Sequence, residues 1–167
     1  MSLHLVAFND ALRNARLCRQ ENVAFRARGT VSAFSIRTIA MTGFVRLSAL
    51  GAGALEDWGP MPAEDLSAGI GQQYGHLWLD DAASGLMVGV WACSPMTGRM
   101  GPWSTNEVMI VIEGAVAIDH ADGSTLEAAA GDAFLIPKGT VCSWRQAGDL
   151  KKFFVIHSDA SGLVAAQ

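Results

Sequence analysis

The chain has 167 residues, of which half are hydrophobic and 17% charged, with a formal charge of −4. That length suits one domain with a real core, and the low charge excludes a disordered polyelectrolyte. No run approaches the roughly 20 apolar residues of a membrane helix. The N-terminus carries no apolar stretch followed by a small-residue cleavage site, so a cytoplasmic protein is expected. Cys18, Cys93 and Cys142 are odd in number and far apart, which argues for a reducing compartment and against a disulfide framework.

Charge is unevenly spread. Residues 1–50 hold seven arginines against Asp10 and Glu21, a balance of +5, while the remainder has five basic and fourteen acidic residues, a balance of −9. The arginines lack clustered lysines or interleaved aromatics, so neither nucleic acid nor membrane is expected as a partner. An arm that docks on its own acidic body or on a second copy is the default reading.

In chain order, residues 8–20 suit a short helix, with Asn9 or Asp10 as N-cap and Leu12, Ala15 and Cys18 as a narrow apolar stripe. Residues 23–47 alternate imperfectly and suggest one or two strands. Leu50 to Gly75 reads as loops with short extended pieces. Beyond it the pattern is all-β. Strands are predicted at His76–Leu79 and Leu86–Cys93, then, after a loop Ser94–Asn106, along Glu107–Ile118 with a bulge or hairpin at Gly114. Asp122-Gly123 signals a hairpin turn. Strands follow at Thr125–Ala129, Ala133–Pro137, Thr140–Gln146 and Lys151–Ser158. Short strands at such spacing predict a sandwich or barrel, with no helix in this half.

Two stretches carry a family likeness. One is the strand Glu107-VMIVIE-Gly114, and the other is Gly131-DAFLI-Pro137-K-Gly139-TV-Cys142-SWR-Gln146. Together with Gly89-Val90-Trp91, Asp122-Gly123, Trp144 and the closing Lys152-FFVI, they resemble the two motifs of the cupin superfamily. The likeness is to small DUF861-like cupins of the kind seen in ureidoglycine aminohydrolase halves and ethanolamine-utilisation cupins. It implies a double-stranded β-helix, or jelly-roll, barrel over residues 44–158. Residues 1–43 would then be an N-terminal basic extension and 159–167 a C-terminal tail. It also implies a homodimer, with the arm crossing to the partner.

The same resemblance implies a divalent metal held by three histidines and the motif glutamate. Here Met100-Gly101-Pro102-Trp103 stands where the first two histidines would lie, Cys142 replaces the third, and Gln146 replaces the asparagine that follows it. Two candidate ligands, Glu107 and Cys142, are too few for Zn²⁺ or Fe²⁺. No cofactor is therefore expected, the alternative being a rebuilt site in which His76 or His157 joins Glu107 and Cys142. The structural alternatives are that Glu107 pairs with Arg99, Arg145 or Lys152, that Cys142 is a small buried hydrophobe, and that Lys151-Lys152 is a solvated strand start.

The expected function is binding of a small polar or planar metabolite in the barrel. Trp103, Glu107, Met109, Cys142, Trp144 and Gln146 would line the site, and Trp91, Trp103 and Trp144 would offer a stacking surface for a planar or sugar-like ligand. Two alternatives stand beside it. One is a hydrolase or isomerase of small metabolites using Glu107 as catalytic acid/base. The other is a structural or regulatory dimer whose barrel is filled.

Overall fold

The computed structural model describes residues 43–158. The helix expected at 8–20, the arm that would cross to a partner and most of the strand region 23–47 lie outside them, and residues 43–47 of that region form no strand. Twelve strands follow: β1 Glu56–Pro60, β2 Leu66–Gly69, β3 Gln72–Asp81, β4 Leu86–Cys93, β5 Met96–Gly98, β6 Gly101–Pro102, β7 Asn106–Glu113, β8 Ala115–His120, β9 Thr125–Ala129, β10 Ala133–Ile136, β11 Val141–Gln146 and β12 Leu150–His157. Short 3-10 turns at Ala52–Ala54 and Ala63–Asp65 are the only helical pieces among the described residues, and none is long and apolar enough to cross a membrane.

The strands form two antiparallel sheets facing each other, the cupin jelly roll. One runs β1-β3-β4-β12-β7-β10 and the other β2-β5-β11-β8-β9, with β6 also paired to β11. Alternate residues of β7 (Glu107, Met109, Val111), β11 (Cys142, Trp144, Gln146) and β12 (Lys152, Phe154, Ile156) are buried and face inward. Trp91, Met109, Trp144, Phe154 and Ile156 are among the residues of one continuous core between the sheets. Such a small barrel is largely filled by its own side chains.

Several strand boundaries differ from the sequence reading for identifiable reasons. The run 107–118 is not one strand: Gly114, at φ +83°, ends β7 in the first sheet and starts β8 in the second. It is a corner between sheets, and a one-residue register shift sits beside it, between Lys151 and Lys152 on β12. The predicted loop 94–106 contains β5 and β6, too short to show a period. The strand expected at His76–Leu79 extends over ten residues, because β1 and β4 pair it on both sides. Here Gly75 lets the Trp58 ring lie against the backbone, where a Cβ would stand 2.2 Å from Trp58 Cη2.

At Gly114 the backbone is left-handed and a Cβ would stand 2.2 Å from the Asp149 carbonyl oxygen. Both effects disfavour any L side chain, so Gly114→Ala is expected to cost about 2 kcal/mol or more. Urea denaturation of variant and wild type measures this directly.

Candidate functional site

The second motif builds the wall on which the site stands. Pro137-Lys138-Gly139 forms a tight turn, with Gly139 at φ +88°. That turn grips the loop before β7 through backbone hydrogen bonds: Gly139 N–H to the Trp103 carbonyl (2.7 Å) and Trp103 N–H to the Thr140 carbonyl (2.8 Å). Lys138 N–H also donates to Asn106 Oδ1 at 3.1 Å. Trp103 is thereby fixed at the barrel mouth, four residues ahead of Glu107.

Glu107 lies inside, between Ile136 and Ile156 on the neighbouring strands, and is 1% exposed. A carboxylate in such surroundings needs partners. It has two: Lys152 Nζ donates to Oε1 at 2.8 Å, and Trp103 Nε1 donates to Oε2 at 3.2 Å. Of the three partners the sequence offers, the structure selects Lys152. Arg145 instead reaches Asp119 on β8, and Arg99 Nε donates to the Glu64 carbonyl.

The sequence reading gave Lys152 two places, as a partner of Glu107 or as part of a solvated strand start, and the structure takes the first. Lys152 is not a solvated strand start: it is 2% exposed and shares the inner face of β12 with Phe154 and Ile156. From a position paired with Trp91 and Val111, its side chain runs past Met109 to Glu107. The ammonium also contacts Met109 Sδ at 3.1 Å and stands 4.9 and 4.7 Å from the Trp91 and Trp144 ring centres. Lys151 points outward yet is also buried, bonded to the Leu50 carbonyl and, at 3.5 Å, to Glu113. The signal was the two-residue period Lys152, Phe154, Ile156, masked by the adjacent Lys151.

Above this pair is a cavity of ≈ 60 Å³, lined by Trp91, Trp103, Glu107, Cys142, Trp144 and Lys152 and, at the mouth, by Asp65, Met61, Met96, Gly98, Arg99, Ser104 and Thr105. Drug-sized ligands occupy roughly 300–1,000 Å³. The space therefore takes a molecule of a few heavy atoms, and a sugar ring does not fit. Nor do the tryptophans form an open stacking surface. Trp103 stacks on Trp144 (6.2 Å, 25°), Trp91 meets Trp144 edge-on (6.0 Å, 86°), and Trp91 and Trp144 are 2% and 4% exposed.

The expected lining residues thus separate. Trp103, Glu107, Cys142 and Trp144 border the cavity, whereas Met109 lies beneath Lys152 and is fully buried. Gln146 is structural: its Oε1 accepts from Trp144 Nε1 at 2.8 Å and its Nε2 donates to the carbonyls of Cys93 and Ser94 at 2.9 and 3.0 Å. Thr105, Ser104, Met61, Met96, Asp65 and Arg99 were not anticipated as lining, because they come from turns and short strands with no period to read.

The residues present do not fit a divalent metal. His76 pairs with Val90 on the outer face and stands 3.9 Å from Glu56, and His157 shares the outer face of β12 with Val155, so neither reaches Glu107. Burial pushes the Cys142 thiol up, away from the thiolate a metal needs. Among the described residues no group of three or more His, Cys, Asp or Glu side chains is placed to hold an ion.

The two-sheet topology defines the class: the described domain has the cupin jelly-roll fold. More particularly, residues 82–154 match the family model described as the EutQ-like cupin domain. The barrel is similar to a DUF861-family protein of unknown function from Pseudomonas syringae pv. tomato, at 28% identity and a TM-score of 0.58, covering 61% of this chain. This chain spans only 43% of that protein's length. A putative ethanolamine utilization protein Q from Salmonella typhimurium shares 21% identity over 52% of this chain and 69% of its own, with a TM-score of 0.45. The EutQ protein of Clostridium difficile shares 22% over 52% and 68%, also with a TM-score of 0.45. No curated protein matches the chain.

Because its thiol is raised by burial and only 2% exposed, Cys142 is expected to resist iodoacetamide in the native protein at pH 8, where a free cysteine is partly thiolate. Mass spectrometry should find Cys142 modified at an ordinary rate only after unfolding in urea. Rapid native alkylation would show that the thiol is open and ionised.

Proposed function

We propose that this barrel is a binding module for a compact polar molecule of a few heavy atoms, held without a metal cofactor in the cavity above Glu107 and Lys152. The observation that carries this reading is the lining itself: the hydroxyl residues Ser104 and Thr105 and the cation Arg99 border one cavity whose walls are otherwise largely apolar. Apolar walls from Trp103, Trp144 and Met96, with a few polar atoms fixing orientation, are what small-ligand sites use. Arg99 borders the cavity, and among the described residues only its Nε is bonded, to the Glu64 carbonyl, which favours a ligand with a carboxylate or amide oxygen. This reading is preferred to general acid/base catalysis because both oxygens of Glu107 already accept hydrogen bonds from side chains of the barrel itself.

A thermal-shift screen of small carboxylates and amides is expected to yield stabilising ligands without turnover. Thr105→Val and Trp103→Ala should weaken the shift about tenfold or more in ligand concentration, since each lost hydrogen bond or ring contact is worth about 1–2 kcal/mol. A shift unchanged in both variants would place the ligand elsewhere. Turnover lost in Glu107→Gln would favour the enzyme reading.

We also propose that the outer face of the first sheet pairs two copies of the chain. Val108 lies between Leu135 and Val155 in the ladder and Ile110 follows on the same face; all four are exposed. An uncharged apolar strip is its own complement, as a two-fold interface requires. Light scattering should give a dimer for the wild type and a monomer, still folded, for Ile110→Lys with Val108→Lys.

A further inference from the structure

The cation in this barrel is part of the chain. Four groups converge on Lys152 Nζ: the Glu107 carboxylate at 2.8 Å, the Met109 thioether at 3.1 Å, and the faces of Trp91 and Trp144 at 4.9 and 4.7 Å. The indole N–H of each ring is turned away and bonded elsewhere, Trp91 to Gln73 Oε1 at 3.1 Å and Trp144 to Gln146 Oε1 at 2.8 Å. The two rings therefore present π faces, not edges, to the charge. One carboxylate, one soft thioether and two ring faces make a poor set for a divalent ion, which demands several nitrogen, oxygen or thiolate lone pairs close at hand. They make a good set for a monovalent primary ammonium, whose charge is stabilised by ring quadrupoles and one counter-ion and whose N–H groups reach the carboxylate and the sulfur. We infer that Glu107, Met109, Trp91 and Trp144 form an ammonium cage that Lys152 fills by covalent tether, and that this tethered cation takes the place a metal ion would have on the Glu107 strand.

The inference does not rest on the ligand proposed above: Glu107, Lys152, Trp91 and Trp144 also border that cavity, but the claim concerns only what holds the Lys152 ammonium. It assigns Glu107 the role of counter-ion. It also accounts for a deeply buried glutamate towards which no histidine among the described residues is turned. The cage should be selective for a primary ammonium: three N–H groups serve the carboxylate and the sulfur, while a fully methylated nitrogen can donate to neither.

The full chain with Lys152→Ala tests this. Removing the tethered amine leaves a cage and an unpaired carboxylate, so ethylammonium or propylammonium chloride should raise the melting midpoint saturably, by roughly 4 °C or more. Tetramethylammonium and sodium chloride at equal ionic strength should not, and neither should any amine with the wild type or with Glu107→Gln added to Lys152→Ala. Indifference of folded Lys152→Ala to alkylammonium would overturn the proposal. So would stoichiometric Mn²⁺, Zn²⁺ or Ni²⁺ bound by EDTA-treated wild type and lost on Glu107→Gln. Should Lys152→Ala not fold, Glu107→Leu with Lys152→Met decides. Removal of both charges together is expected to restore folding, and failure of that double variant as well would show that Lys152 has a packing role the cage does not contain.

Discussion

A carboxylate and an ammonium, each 3% exposed or less and 2.8 Å apart, sit in the middle of this barrel. Taking either one alone out of water costs several kcal/mol, and removing one partner of a buried pair typically destabilises by about 3–5 kcal/mol. Much of the interior is arranged around that constraint. Two tryptophans turn their faces to the ammonium, two glutamines hold the indole N–H groups, and a third indole, Trp103, donates to the carboxylate. Among the described residues, Gln73 Nε2 is buried without a hydrogen-bond partner. Its Oε1 is the atom that accepts from Trp91 Nε1, so the same side chain keeps Trp91 oriented.

The two sheets make this arrangement possible by bringing distant strands together. Glu107 and Lys152 are far apart in sequence but on adjacent strands, β7 and β12, with inward residues in step until the register shift beside Gly114. The tryptophans come from β4 in the same sheet and β11 in the opposite one, so the cage closes only when both sheets are packed. The turn Pro137-Lys138-Gly139 contributes indirectly. By clasping the loop before β7, it sets Trp103 and the two hydroxyls of Ser104 and Thr105 at the mouth. The small cavity is what remains after these side chains have filled the centre.

Much of the scaffold was legible in the residues. Leu86–Cys93 and Thr125–Ala129 were read to the residue, because each is bounded by clear turn chemistry. The two-residue period puts Glu107 with Met109 and Cys142 with Trp144 on common faces, and it was the cupin resemblance that turned those faces inward. The period failed to help where elements are two or three residues long, as at β5 and β6, and those supply Met96 and the loop carrying Thr105. At Lys152 it left two readings open, a partner of Glu107 or a solvated strand start, because a pair of lysines resembles a solvated face. The histidines show the converse: His76 and His157 lie on strands next to the site but have the wrong parity, so the pleat directs them outward.

By itself the sequence determined the all-β class, the two turn motifs and which residues of each strand share a face. These depend on local stereochemistry: glycine and proline at turns, and alternation along an extended backbone. Only the tertiary structure decided which base pairs with Glu107, that three tryptophans pack on one another and leave no open stacking surface, and that the cavity is small. Those outcomes are set by side chains from different strands and both sheets meeting in three dimensions. The desolvation cost of an unpaired charge selects the one base that can reach it, and close packing of large rings leaves only the space they cannot fill.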